Sequence, residues 1–323
     1  MQFSNRTRLA LICLCMSCLP LAPAAQTQEK SNWKSGFVQA ADGAKIHYLE
    51  AGHVTTTGSS HIGGTPPPGA MSKGKVAISS IPQQPAILLV PGWTMPAWIW
   101  EKQIEHFSTN YRVVAMDPRA QGESSQASEG LYPAARARDI REVVKQLHLE
   151  PVVLIGWSMG VTELCAFVDQ FGTAGVVGFV LVDGVPGFDL PPERFKDVIA
   201  FFASFQKDRH KATEAFVRSM YKKPQTEEYL QRVIKASLVT PTNSAVALSL
   251  GAMGSDYWGV LPKINRPALI VATQSPFIAA YQRIQREVPG ARMEVFEDAG
   301  HALFVDDADR FNSLLGEFLK TLR

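Results

Sequence analysis

Cysteine is scarce in this chain of 323 residues: there are four, and Cys13, Cys15 and Cys18 all fall near its start. If that stretch is a leader that is removed, only Cys165 remains and no intrachain disulfide can form. An excess of either charge is also missing, with 32 Lys and Arg against 30 Asp and Glu. That balance argues against a nucleic-acid binder, which carries a strongly basic face. Beyond the N-terminal region there is no apolar run long enough to span a membrane, so no stable anchor is expected. The same region lacks H-E-x-x-H, C-x-x-C and a dinucleotide-binding glycine fingerprint, so neither a metal nor an organic cofactor is expected.

What is present begins with the N-terminus. Arg6 and Arg8 form a short positive region, 9–19 is an apolar run, and Pro20 leads into Ala22-Pro23-Ala24-Ala25. This is the pattern of a cleaved secretory signal over 1–25, which implies a periplasmic or secreted protein. A membrane anchor is the alternative reading. Lipidation at Cys18 is disfavoured, because Cys15-Met16-Ser17 is a poor match to the usual apolar-small-small context. Cleavage after Ala24 or Ala25 leaves 30 basic and 30 acidic residues.

The remaining chain is rich enough in apolar residues, 46% overall, to bury a sizeable core. Short β-rich runs alternate with helical stretches, the pattern of a parallel sheet with crossover helices. A leading hairpin over 36–40 and 45–50 turns at Asp42-Gly43. Further strands are expected over 86–90, 112–116, 152–156, 178–182, 268–273 and 292–296. Helices are expected over 134–147, 159–171 and 308–322.

Two regions interrupt this rhythm. The Gly-, Pro-, Ser- and Thr-rich stretch 53–84 reads as a flexible surface insertion. Within it, Gly69 to Lys75 has the spacing of a phosphate-binding loop. However, Val76 stands where Ser or Thr belongs, and no strand-to-helix context surrounds it. The stretch 186–262 carries helical patterns over 192–207, 211–221, 226–238 and 243–253. It reads as a helical cap inserted between the core segments 26–185 and 263–323. Its aromatic and aliphatic residues, Phe195, Ile199, Phe202, Phe205, Phe216 and Tyr221, either pack the cap or line an apolar pocket.

The strongest chemical signal is Gly156-Trp157-Ser158-Met159-Gly160, a G-x-S-x-G between an apolar strand and a helix. Such a turn projects the serine hydroxyl from the sheet edge. Side chains at the flanking glycines would collide with neighbouring backbone. Serine needs a base. Of the seven histidines, His301 alone sits in a loop just after the last strand, in Asp298-Ala299-Gly300-His301, and it follows the serine in chain order. His53 and His61 lie in the insertion, His47 on the hairpin, His106 and His148 near helix ends, and His210 in the cap.

From about 36 to 322 the chain resembles the α/β-hydrolase superfamily. The resemblance rests on Leu89-Val90-Pro91-Gly92-Trp93, on Asp117-Pro118-Arg119-Ala120-Gln121-Gly122-Glu123-Ser124, on the Ser158 turn and on Gly300-His301. It implies a mostly parallel eight-stranded sheet flanked by helices. It also implies an oxyanion hole from the backbone N–H groups of Trp93 and Met159. Pro91 stands where many relatives have histidine, so the anchoring hydrogen bond of that loop must differ. Trp93, Trp98 and Trp100 either pack beneath the cap or wall an aromatic pocket.

The catalytic acid departs from the common pattern. Gln274-Ser275-Pro276-Phe277 follows the seventh strand, where many relatives carry Asp. Some relatives place the acid at the end of the sixth strand, and Asp183 fits that alternative. Asp298, Glu163 and Asp306 are further carboxylates to weigh. The implied activity is hydrolysis of a small apolar carboxylic ester through an acyl-enzyme. Lactone, amide or carbon–carbon hydrolysis and perhydrolysis would use the same residues. A non-catalytic small-molecule receptor is the alternative of a different class. Haloalkane and epoxide chemistry are disfavoured, because both need Asp where Ser158 stands.

Overall fold

The computed structural model describes residues 33–52, 84–188 and 192–322. The expected leader and phosphate-loop spacing lie outside these residues, as does nearly all of the expected insertion. Eight strands form one sheet: β1 (Lys34–Gln39), β2 (Lys45–Ala51), β3 (Ala86–Val90), β4 (Val113–Met116), β5 (Val152–Trp157), β6 (Val176–Val182), β7 (Ala268–Thr273) and β8 (Arg292–Phe296). Their order is β1-β2-β4-β3-β5-β6-β7-β8. β1 and β2 form the expected antiparallel hairpin, and β2 also pairs antiparallel with β4. All other pairs are parallel.

The central strands read as continuous apolar runs because both faces are covered. Alternate residues feed two separate cores. On β5, Val152 and Leu154 point into one core, while Val153, Ile155 and Trp157 point into the other. In chain order the helices are α1 (Glu101–Phe107), α2 (Pro133–Gln146), α3 (Met159–Phe171), α4 (Phe195–Lys207), α5 (Arg209–Ser219), α6 (Glu227–Val239), α7 (Thr242–Met253), α8 (Ile278–Glu287), α9 (Leu303–Asp306) and α10 (Ala308–Lys320). α2 starts with Pro133 at its first position, where a missing N–H costs nothing. Asp208 and Thr226 cap α5 and α6 by accepting from Lys211 N and Tyr229 N. No helix of the described residues is long and apolar enough to cross a membrane.

α4 to α7 fill the long connection between β6 and β7. They bury Phe202 and Phe205 but leave Phe195 and Ile199 exposed. A third apolar cluster joins this helical region to the sheet: Trp93 and Met159 from the core meet Phe205, Ala245, Leu248 and Ala252.

Chain direction decides where the site can be. After β3 the chain passes to β4 on one side, then crosses back to β5 on the other. The loops leaving β3 and β5 therefore diverge and open a crevice at their C-terminal ends, the place where open α/β sheets bind ligands. Ser158 follows β5 directly, and Pro91 to Trp93 follow β3.

Candidate active site

Ser158 occupies the turn between β5 and α3 with φ 57° and ψ −119°. A side-chain-bearing residue there is strained, and it is held by neighbours that leave no alternative. The Ser158 N–H donates to Val182 O at 2.9 Å, and Ser158 O accepts from Val161 N at 2.9 Å. Three glycines permit the crowding. A Cβ on Gly156 would stand 2.7 Å from Gly160 O, and one on Gly160 2.7 Å from Val90 O. One on Gly92 would stand 2.9 Å from the Ser158 Cβ. The loop after β3 thus lies directly against the serine.

Asp183 follows β6 and has φ 42°, another left-handed residue that is not glycine. Its two oxygens divide their work. Oδ2 lies 2.7 Å from His301 Nδ1. Oδ1 accepts from the Thr273 N–H at 2.7 Å and from Thr273 Oγ1 at 2.8 Å. The carboxylate is buried, while the His301 side chain keeps 31% of its surface exposed. Among Asp183, Asp298, Glu163 and Asp306, only Asp183 touches the imidazole. Asp298 is exposed and faces Lys222. Glu163 is buried against Arg136 at 3.0 Å.

Asp306 instead organises the loop that carries His301. Its Oδ2 accepts from the N–H groups of Gly300 at 2.8 Å and Lys222 at 2.7 Å, and its Oδ1 accepts from Gln225 Nε2 at 3.0 Å. Trp157 adds a direct hold, its indole N–H donating to His301 O at 2.9 Å. Sequence reasoning did not single out Thr273, Trp157 or Asp306 for these tasks. The usable signal for Thr273 was a hydroxyl at the end of β7, where the acid was missing.

Trp93 and Met159 are both buried and belong to one apolar cluster. The Trp93 ring packs edge-on against Phe205 and Phe216, and its indole N–H donates to Ala245 O at 2.7 Å. Trp98 packs edge-on against Tyr229, and Trp100 stacks on Phe304 at 3.9 Å. None of the three tryptophans lines the cavity at Ser158, so packing is the reading the structure supports. The anchor that replaces a histidine at Pro91 is Gln121. Its amide donates to Gly92 O at 3.0 Å and to Met95 O at 2.9 Å.

Ser158, Asp183 and His301 share one cavity of about 510 Å³. Its apolar wall includes Val185, Phe188, Phe216, Met220, Pro276 and Phe277. Among the described residues no hydrogen bond joins Ser158 Oγ to His301. Such contacts commonly close only when substrate is bound.

A second Ser–His–Asp row lies elsewhere. Ser35 Oγ is 2.8 Å from His47 Nε2, and His47 Nδ1 is 2.7 Å from Asp117 Oδ2. Ser35 sits on edge strand β1, and it does not line the cavity that holds Ser158. Asp117 also accepts from Ala97 N and Glu123 N, so the row ties the loop after β4 to the hairpin. Gly122 makes that possible, with φ 51° and a missing Cβ where the Asp117 carboxylate sits. Cys165 is wholly buried, and burial pushes its thiol up to about 12, so it stays a protonated core residue. Among the described residues no three His, Cys, Asp or Glu gather as a metal site would require.

The sequence pattern described as the alpha/beta hydrolase family matches residues 87–314. A non-heme chloroperoxidase from Kitasatospora aureofaciens is 25% identical over 254 residues, covering 72% of this chain and 91% of its own. An esterase from Exiguobacterium antarcticum superposes with a TM-score of 0.75 at 23% identity, covering 89% of this chain and all of its own. A bromoperoxidase from Bacillus anthracis also reaches 0.75, at 20% identity and the same coverage.

Proposed function

The chain belongs to the alpha/beta hydrolase family, and on that premise we propose that it hydrolyses carboxylic esters through an acyl-enzyme on Ser158. The observation that carries this reading is the 2.7 Å contact of His301 Nδ1 with Asp183, beside the strained Ser158 turn on one cavity wall.

With Nδ1–H donated to Asp183, His301 Nε2 is left as an acceptor. Ser158 Oγ attacks the ester carbonyl carbon while its proton passes to Nε2. Asp183 stabilises the imidazolium that forms and keeps the ring oriented. The N–H groups of Trp93 and Met159 receive the developing oxyanion, and the α3 N-terminus adds a positive dipole end. His301 returns the proton to the departing alkoxide. Water then attacks the acyl-enzyme with His301 again as base, releasing the acid and restoring Ser158.

The likeness to proteins named as haloperoxidases favours a second reading, in which hydrogen peroxide replaces water at the acyl-enzyme and a peroxy acid leaves. One experiment addresses both. The purified protein is assayed on short-chain p-nitrophenyl esters, with and without peroxide, and treated with a fluorophosphonate. Turnover and labelling are expected for the wild type. Ser158→Ala should lose labelling and on the order of a million-fold of turnover. Peroxy acid formed with peroxide present would mark the second reading. Labelling that survives Ser158→Ala, or turnover that does, would refute the proposal.

A further inference from the structure

One part of the cavity lining comes from the segment between β7 and α8. Gln274, Ser275, Pro276 and Phe277 all line it. In relatives with the acid after β7, this segment is committed to the histidine. Here Asp183 does that work from β6, and Thr273 pins the carboxylate from the end of β7. The four residues that follow are released from the reaction centre.

Their chemistry is uniform in one respect: none carries charge. Among the described residues no Lys or Arg lines the cavity, and the one carboxylate that lines it is that of Asp183. Tyr281 lies beneath the segment. Burial and the nearby Asp183 push its phenol well above its ordinary value, so it also stays neutral. At the lip, Phe277 keeps 48% of its surface exposed and meets Phe188 edge-on, with ring centroids 6.3 Å apart. Phe277 and Phe188 thus both contribute apolar surface to the cavity, the kind of lining that receives apolar groups.

We propose that Gln274–Phe277 is the specificity-determining wall of this pocket, and that it admits uncharged esters with an apolar or aryl group while rejecting those with an anionic tail. The inference rests on the ester-hydrolase reading. An anionic tail entering here would lose water, meet no Lys or Arg among the described lining residues and approach Asp183, so selection acts by an unpaired like charge. Phe277 and Phe188 grip the apolar group at the lip, and Phe216 adds a further aromatic contact from the cavity lining.

The test uses matched pairs of esters and of fluorophosphonates, one member neutral and one ending in carboxylate, with the charge on the acyl side and then on the alcohol side. For the wild type, kcat/KM and the Ser158 labelling rate should fall on the order of 10- to 100-fold for the anionic member of a pair. Phe277→Arg supplies the missing cation at the lip and should shift that ratio toward the anionic member by about tenfold or more. Gln274→Arg should shift it in the same direction. Phe277→Ala should raise KM for the aryl ester with little change in kcat. A thermal melt, with Ser158 labelling by a small neutral probe, confirms that each variant is folded and competent. Equal rates for both members of every pair in the wild type overturn the inference, as does a ratio unmoved by both arginine variants. If no probe labels Ser158 and no ester is cleaved, the hydrolase reading itself falls and the inference falls with it.

Discussion

Asp183 divides its two oxygens between His301 and Thr273. In the proposed reaction the His301 ring exchanges protons, so the oxygen facing it needs a steady orientation. Thr273 supplies that with two donors to the other oxygen, 2.7 and 2.8 Å away. Asp183→Asn should cost about 10,000-fold in kcat, because an amide can favour the wrong imidazole tautomer. Thr273→Val removes one donor but keeps the backbone N–H. Its expected loss is on the order of tenfold in kcat with KM nearly constant, and Thr273→Ser should restore most of it. A Thr273→Val enzyme with full kcat would show that the backbone N–H alone suffices. These residues also mark what one chain segment can disclose. Ser158 and His301 stand out because each sits in a local motif of recognisable shape. Thr273 and Trp157 do not, because their partners lie 90 and 144 residues away and only the sheet brings them near.

At the scale of elements, the site is a set of strand ends brought unusually close together. The left-handed residues that are not glycine include Thr94, Ser158 and Asp183, from the loops after β3, β5 and β6. Strain gathers where three chain segments must approach one reacting centre. Gly184 shows how tight the approach is: a Cβ there would collide with Ser158 O. Gly184→Ala should therefore push the Ser158 turn aside, destabilising the fold by about 1–3 kcal/mol as overpacked sites do. Labelling of Ser158 should slow in the same variant. Unchanged melting and unchanged labelling together would mean that the turn can shift freely. The turn before α3 was visible in the sequence, since glycine at both flanks states the need for space. The anchor at Pro91 was not, because Gln121 reaches Gly92 from another loop.

Across the whole molecule, a charged layer runs through the packing of α2 against α3. Arg119 holds Asp139 with two hydrogen bonds of 2.9 and 2.7 Å and reaches out to Asp42. Deeper in, Arg136 and Glu163 are both buried and lie 3.0 Å apart. Burial raises the Glu163 carboxyl to about 7 from its usual 4.5, against the pull of Arg136. The folded chain thus keeps a proton that the unfolded chain gives up earlier. The stability this contributes is fully present below about pH 4.5 and is lost as pH rises through about 7. Glu163→Gln carries no such proton. Its melting temperature should match the wild type near pH 4.5 and exceed it above pH 7. A variant less stable than the wild type above pH 7 would show that attraction to Arg136 prevails.

The sequence by itself determined the alternation of strands and helices, the serine turn and the histidine loop. Each of these rests on local rules of period, turn geometry and residue size that act within a few neighbours. Only the tertiary structure decided which carboxylate meets His301, because several carried suitable chemistry and distance in space chose Asp183. It also decided that the tryptophans pack rather than line the pocket, and that the uncharged segment after β7 lines the cavity. Those outcomes depend on contacts between remote segments, which exist only once the sheet has set its strand order.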